Sequence, residues 1–334
     1  MKNSSQFISD SVFKINLNYV KLQNQTKELF FRCLDEERDL DYFKAKIEEL
    51  WGSLDYSYVK DEINEYEAII HEKNLEGKKI VKDIPKGEYG SIFALVPASV
   101  ILAVNNKFVK VKEREYKNSL KSYAYKNDKQ EYLKLKVSKY NNQIVPYYSK
   151  ATNEIIRYVQ PSTYNSMIHN TNLTRAGWNI TLNDADMVGY NYFIIPYHPF
   201  SCIHCIDHQN KLMNKQQVID MVGFAENADG DILHPNCKCS LTMVNDLTDL
   251  KISKQYDFTT EEKEEISNIR QKVNSLTLKK EEIRTDMKIQ KKLGNEDEVD
   301  KLNQQRNKIN SQIRELQEAL PTAELRKQVV AINR

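Results

Sequence analysis

The sequence predicts an α+β fold, mostly α-helical. It reads as a helical N-terminal region, a small β-containing module stapled by cysteine and histidine, and C-terminal coiled-coil helices. Three observations predict this. Nine Gly and eight Pro in 334 residues are too few for turn-rich all-β designs. Apolar residues recur at helical spacing near both ends of the chain. Four of the five cysteines lie between Cys202 and Cys239, just after segments whose alternation suits strands. The mass of 39.1 kDa is enough for two or three domains. The expected segments are a helical region at 1–82, a mixed region with a basic long helix at 83–186, the Cys/His module at 187–245, a linker at 246–258, a coiled-coil helical hairpin at 259–320 and a tail at 321–334.

The elements follow in order. Tyr42, Ile47, Leu50 and Trp51 share one helical face that Gly52 ends, and Tyr58, Ile63, Tyr66, Ile69 and Ile70 mark a second helix stopped by Gly77. Cys33, alone in this acidic helical region, reads as an ordinary core residue. Pro85, Gly87 and Gly90 then precede the longest uncharged apolar run, Ser91–Val104. With Pro97 inside, it is too short to span a bilayer and reads as buried core, strand or helix. From Lys107 to Lys139 there are eleven Lys/Arg against four Asp/Glu, interleaved with Tyr116, Tyr123, Tyr125 and Tyr132. One reading is a surface for phosphate backbones with rings for stacking; the other is the solvated face of a long helix packed on its tyrosines. Ile155, Ile156 and Val159 suit a helix that Pro161 interrupts. Trp178, Ile180 and Leu182 alternate as a strand would before the NDAD turn at 183–186, and Met187 to Ile195 is a second strand candidate.

The last segment differs in kind. No aromatic residue follows Phe258, and 261–320 holds one Gly and no Pro. Thr259 and Glu262 make a capping box. Ile266, Ile269, Val273, Leu276, Ile283 and Met287 follow heptad spacing, with Lys280 in one core slot. After the break at Leu293–Gly294–Asn295 the pattern resumes with Val299, Leu302, Arg306, Ile309, Ile313, Leu316 and Leu320. Gly294 permits an antiparallel hairpin whose first helix is about 50 Å long; the alternative is a kinked coil that pairs with another chain.

Composition bounds the function. Hydrophobic residues are 40% and charged residues 29%, with a mean hydropathy of −0.65, as expected of a core-bearing protein with long solvated surfaces. The formal charge of +2 excludes a chain that coats nucleic acid with its whole surface, so any basic surface is local. Asp10, Lys14 and Asn16 break the apolar residues of the opening segment, which therefore does not read as a secretion signal. A reducing compartment is the expectation, where clustered cysteines favour metal over disulfides.

The cluster itself is the most informative feature. His198–Pro–Phe–Ser–Cys202–Ile–His–Cys205–Ile–Asp–His208 is followed by His234–Pro–Asn–Cys237–Lys–Cys239. A C-x-x-C turn lets two thiolates grip one ion, and the later cysteines can close a tetrahedral site. The candidate ligands of a structural Zn2+ are Cys202, Cys205, Cys237 and Cys239, with His234 as the alternate fourth ligand and His208 behind it. A redox C-x-x-C calls for a single pair, and buried cysteines without metal remain a further alternative. Neither an H-E-x-x-H helix nor a deaminase-type H-x-E occurs, so no catalytic residue is assigned.

At these residues the sequence resembles the phage minor head protein family, the Mu F-like head morphogenesis group. Members carry a C-x-x-C, a short turn resembling LDGK, and a closing HPNCRC. Here HPNCKC has Lys238 in place of Arg, the turn reads IDHQNK without a glycine, and the region of Trp178 is also similar. The resemblance covers roughly 150–245. It implies a structural minor capsid protein present in few copies in the virion, at the capsid interior near the portal, after assembly in the host cytoplasm. Its implied partners are the portal protein and the major capsid or scaffolding protein. The basic stretch Lys107–Lys139 extends this to packaged DNA, the coiled coil, which lies outside the resemblance, offers self-association, and no membrane partner is expected. Two other classes fit some of the same residues. One is a zinc-stapled His–Asn–His nuclease opened by Asp207–His208, and the other is a non-viral adaptor with a zinc hub and a coiled coil.

Overall fold

The computed structural model describes residues 4–52, 57–82, 98–148, 154–196, 208–222, 237, 239–245, 259–323 and 326. Its helices are α1 (Ser4–Asp35), α2 (Leu40–Gly52), α3 (Ser57–Leu75), α4 (Ala98–Lys121), α5 (Tyr123–Asn127), α6 (Lys129–Lys139), α7 (Pro161–Val188), α8 (Lys215–Val222), α9 (Thr260–Lys292) and α10 (Glu296–Glu318). The strands are β1 (Val145–Tyr148), β2 (Ile155–Val159), β3 (Tyr192–Ile194), β4 (Met213–Asn214) and β5 (Thr242–Val244). The fold is α+β and mostly α-helical, as the sequence predicts, with two small antiparallel sheets: β1 paired with β2, and a three-stranded sheet in the order β4-β3-β5. No described helix is long and apolar enough to cross a membrane.

The chain divides into two compact units, each assembled from three separate stretches. The first comprises Met1–Lys14, Tyr56–Pro97 and Ser166–Arg270. Helix α7 is central to it because two apolar clusters use different sides of this one helix. Trp178, Leu182, Ala185 and Val188 join the sheet residues Phe193 and Met243. Leu173, Ala176 and Ile180 join Phe7, Ile63 and Tyr66 instead. Tyr66 stacks on Phe7 with ring centroids 5.2 Å apart and lies over the backbone of Gly177, where an added Cβ would come within 2.6 Å of its hydroxyl. That contact is why α7 carries a glycine in its interior, despite its cost to the helix of about 1 kcal/mol relative to alanine.

The readings of residues 155–195 are corrected. Residues 155–159 form strand β2, whose Val145↔Val159 pairing buries both valines beside Val104; their spacing mimicked a helix because the strand is too short to show its period. Pro161 opens α7 instead of interrupting a helix, since the first helical position needs no N–H donor. Trp178, Ile180 and Leu182 lie within α7, and the NDAD segment is its last turns, not a loop. Their alternation comes from a helix buried on two sides: Trp178 and Leu182 face one cluster and Ile180 the other. Helix α7 ends where Gly189 takes φ +75 and the Tyr190 N–H reaches the Ala185 carbonyl at 2.8 Å, a glycine-terminated C-cap. The second strand candidate, Met187 to Ile195, shrinks to β3.

The second unit comprises Ile15–Asp55, Ala98–Asn165 and Gln271–Arg334. Its core is aromatic. Phe30 meets Phe31, Phe43, Tyr116 and Tyr140 edge-on, and Phe43 stacks on Tyr116 at 4.1 Å. Trp51 packs on Phe108 and donates its indole N–H to Thr26 at 2.9 Å. Lys112 is fully buried, its ammonium 3.9 Å from the Tyr140 ring centroid and 3.0 Å from Glu115; burial pulls its pKa down. Cys33 is buried here too, and desolvation pushes its thiol up to about 11, as befits a core residue. The apolar run that precedes α4 enters the helix at Ala98, with Ile101 and Val104 buried and Leu102 exposed; its residues 91–97 lie outside the described ones.

The capping box closes as expected at the start of α9. The Thr259 N–H donates to the Glu262 carboxylate at 2.7 Å, and the Glu262 N–H donates to the Thr259 hydroxyl at 3.3 Å. At the other end Gly294 takes φ +67, and the Asn295 N–H reaches the Gln290 carbonyl at 3.0 Å, which turns the chain into α10. Leu276 and Gln312, equally far along the chain from Gly294, line a common groove with Lys272, Ser275, Glu315 and Leu316. This pairing is that of an antiparallel hairpin within the chain. Polar contacts hold its first helix in the second unit: Lys27 pairs with Asp286, Lys288 with Glu28 at 2.7 Å, and the Gln160 amide donates to Glu282 at 3.0 Å.

Candidate functional site

Cys237 and Cys239 are 2% and 1% exposed. Helix α7 holds their backbone through residues spaced one turn apart. The Asn170 amide and Thr174 hydroxyl donate to the Cys237 carbonyl at 2.7 and 2.9 Å, and the Trp178 indole N–H donates to the Cys239 carbonyl at 2.7 Å. One helix thus holds the backbone at both cysteines. The chain runs from there into β5, which pairs with β3 through Phe193↔Met243.

The turn after Cys205 reaches the same strand. Ile195, next to the end of β3, bridges Gln209, and its carbonyl accepts the Asn210 N–H at 2.9 Å. Asn210 has φ +56, a left-handed conformation that asparagine tolerates better than most residues. His208 begins this turn half-buried. Both the turn and the Cys237–Cys239 segment therefore adjoin β3. Cys202, Cys205 and His234 lie outside the described residues, and among the described residues no three His, Cys, Asp or Glu side chains gather as a metal site would require.

Two polar clusters in the first unit were not legible as sites in the sequence. The Nε2 of buried His169 lies 2.8 Å from the Ser11 hydroxyl and 3.2 Å from the Glu62 carboxylate. Ser11 also donates to Glu62, and Lys14 reaches its other oxygen at 3.2 Å. Burial alone would raise the Glu62 carboxyl, but the hydrogen bonds from His169 and Ser11 outweigh it and hold the pKa down to about 2. Ser11 and Glu62 share one ring nitrogen of His169, whereas nucleophilic catalysis needs the nucleophile and the orienting carboxylate on opposite nitrogens of the imidazole base. The cluster is accordingly a joint between α1, α3 and α7. In the second cluster His71 lies with Nδ1 2.5 Å from Asp184 and Nε2 3.3 Å from Glu67, and the Asn74 amide donates to Asp184 at 2.9 Å. Burial lowers the His71 pKa, but the Asp184 and Glu67 carboxylates more than compensate and leave it raised.

The basic region resolves into two populations. Tyr116 and Tyr125 are buried and donate to the Arg38 and Leu34 carbonyls at 2.7 Å each, while Tyr132 donates to Ser119 at 3.0 Å; of the four rings only Tyr123, 79% exposed, stands out in solvent. Lys112 is buried and Lys129 pairs with Glu37 at 2.9 Å. Lys107, Lys110, Arg114, Lys117 and Lys121, by contrast, are exposed along one face of α4. An open depression of about 410 Å³ lies beside Ala103, Lys107, Lys110 and Arg114. Comparison with known protein families, curated proteins and solved structures yields no match for this chain.

Proposed function

We propose that the protein is a structural minor head protein of a tailed phage, present in few copies near the portal and acting in head assembly or in DNA packaging and delivery. The observation that carries this reading is the motif pair Cys202-x-x-Cys205 and His234–Pro–Asn–Cys237–Lys–Cys239, with its resemblance to the Mu F-like group. Two features support treating the pair as one structural module. The Cys237–Cys239 segment is tied to α7 by Asn170, Thr174 and Trp178. In the turn after Cys205, which lacks the glycine of an LDGK-like sequence, Asn210 adopts the left-handed conformation in which glycine is favoured. A structural Zn2+ held by Cys202, Cys205, Cys237 and Cys239, with His234 as alternate, would close the two arms; thiolate bonding to zinc contributes directly to folding.

Density-gradient fractionation of a lysate from producing cells, blotted for this chain, tests the role. Banding with heads or particles at a low, constant ratio to the major capsid protein is the expected result. Recovery in the soluble fraction alone overturns it.

A further inference from the structure

The five exposed cations of α4, Lys107, Lys110, Arg114, Lys117 and Lys121, follow one another at alternating steps of three and four residues. That spacing keeps all five on one face of a helix, a row about 21 Å long at 1.5 Å per residue. The opposite face is the buried one, carrying Val104, Phe108, Lys112, Tyr116 and Ser119. Exposed Ala103 and Asn106 precede the row, exposed Asn118 lies within it, and half-buried Val111 and Glu113 border it. None of the five cations forms an ion pair among the described residues, whereas the buried Lys112 takes Glu115 from the same helix. The helix thus neutralises its inward cation and leaves its outward ones unneutralised.

We propose that this face of α4 binds the phosphate backbone of duplex DNA without reading its sequence. A row about 21 Å long spans roughly six base pairs, over which a duplex presents about twelve phosphate charges. Tyr116 and Tyr125 are committed to the interior, and the one exposed ring, Tyr123, lies past the end of the row, so the row has no run of rings on which successive unpaired bases could stack, and this disfavours single strands. A protein partner would call for an apolar centre within the face, which Ala103 and half-buried Val111 beside five cations do not make. The choice of DNA as the polyanion met in the cell rests on the head-protein reading; the chemistry of the row does not.

The test is fluorescence anisotropy of the full chain on a labelled 30-base-pair duplex at 50–200 mM salt, with a second duplex of unrelated sequence. Five phosphate contacts predict a slope of log K against log salt of about −4.5, equal for both sequences. Lys110→Gln with Lys117→Gln should bring the slope to about −2.7 and weaken binding about sixtyfold at 0.1 M salt. The exposed pair Lys126→Gln with Lys139→Gln lies off the row and should leave both unchanged. Undetectable binding at 50 mM salt, a slope that the Lys110/Lys117 variant does not change, equal loss in both variants, or equal affinity for polyglutamate each overturns the proposal. Far-UV circular dichroism of both variants guards against misfolding, and Arg114→Gln supplies a second single-site test of the slope. A particle-bound protein that fails on DNA would refute the row and spare the head-protein reading. A soluble protein that binds DNA would do the reverse.

Discussion

Replacing Glu62 by Gln removes the charge at the centre of the α1–α3–α7 joint while keeping its shape. Its carboxylate is 13% exposed and is held from an ordinary value of 4.5 down to about 2. A displacement of that size corresponds to about 3 kcal/mol of stability at one site. The sign follows from the direction of the shift. A carboxyl depressed in the folded state stabilises it above pH 4.5, and that contribution disappears as the pH falls from 4.5 towards 2. Hydrogen exchange of α3 and α7 amides, corrected for intrinsic rates, is the appropriate assay because it reports the opening of these helices alone. The wild-type chain should lose about 3 kcal/mol of local protection between pH 6 and pH 2 in excess of Glu62→Gln, with the two profiles converging at the acid end. Parallel profiles, offset equally at every pH, would refute the assignment of the joint to the Glu62 charge.

Other substitutions discriminate between steric and conformational effects. Gly177→Ala places a Cβ 2.6 Å from the Tyr66 hydroxyl; the overlap should exceed the gain in helix propensity and leave a net loss of about 2 kcal/mol in chemical denaturation. Gly294→Ala meets nothing within 4 Å but keeps φ +67, so strain alone should cost about 1 kcal/mol at the hairpin turn. Trp178→Phe removes the N–H that reaches the Cys239 carbonyl and shrinks the cluster around Phe193, with an expected loss of about 2–4 kcal/mol in the same assay.

The ends of the chain were the most legible part. Helix α9 announces itself through Thr259 and Glu262, its apolar heptads and a single glycine; the capping box and the glycine turn form at the expected residues, while Ile266, Ile269, Val273 and Ile283 are buried and Leu276 and Met287 only half-buried. Helix α7 was illegible for an equally specific reason. It buries Asn165, His169, Asn170, Thr174 and Asp184 along with Trp178 and Leu182, so polarity no longer separates inside from outside and the helical period disappears. Cys202 and Cys205 lie outside the described residues; in the candidate site, Cys237 and Cys239 were legible as candidates from spacing alone, and both are buried. The residues that hold them were not, because Asn170 and Thr174 both act on the Cys237 carbonyl, more than sixty residues away, and nothing in local sequence encodes that pairing. The basic region was legible as charge but not as surface, since only the fold tells Lys112 from Lys110.

The proposed module requires that its two cysteine-bearing segments, 198–208 and 234–239, close on one structural ion. Native mass spectrometry of the full chain, purified without chelator from zinc-supplemented cells, measures this directly. One zinc per chain is the expected result, lost in Cys205→Ser and in Cys237→Ser alike. A wild-type chain that carries no zinc with its cysteines reduced and unmodified would contradict it, as would zinc retained at full occupancy in both variants.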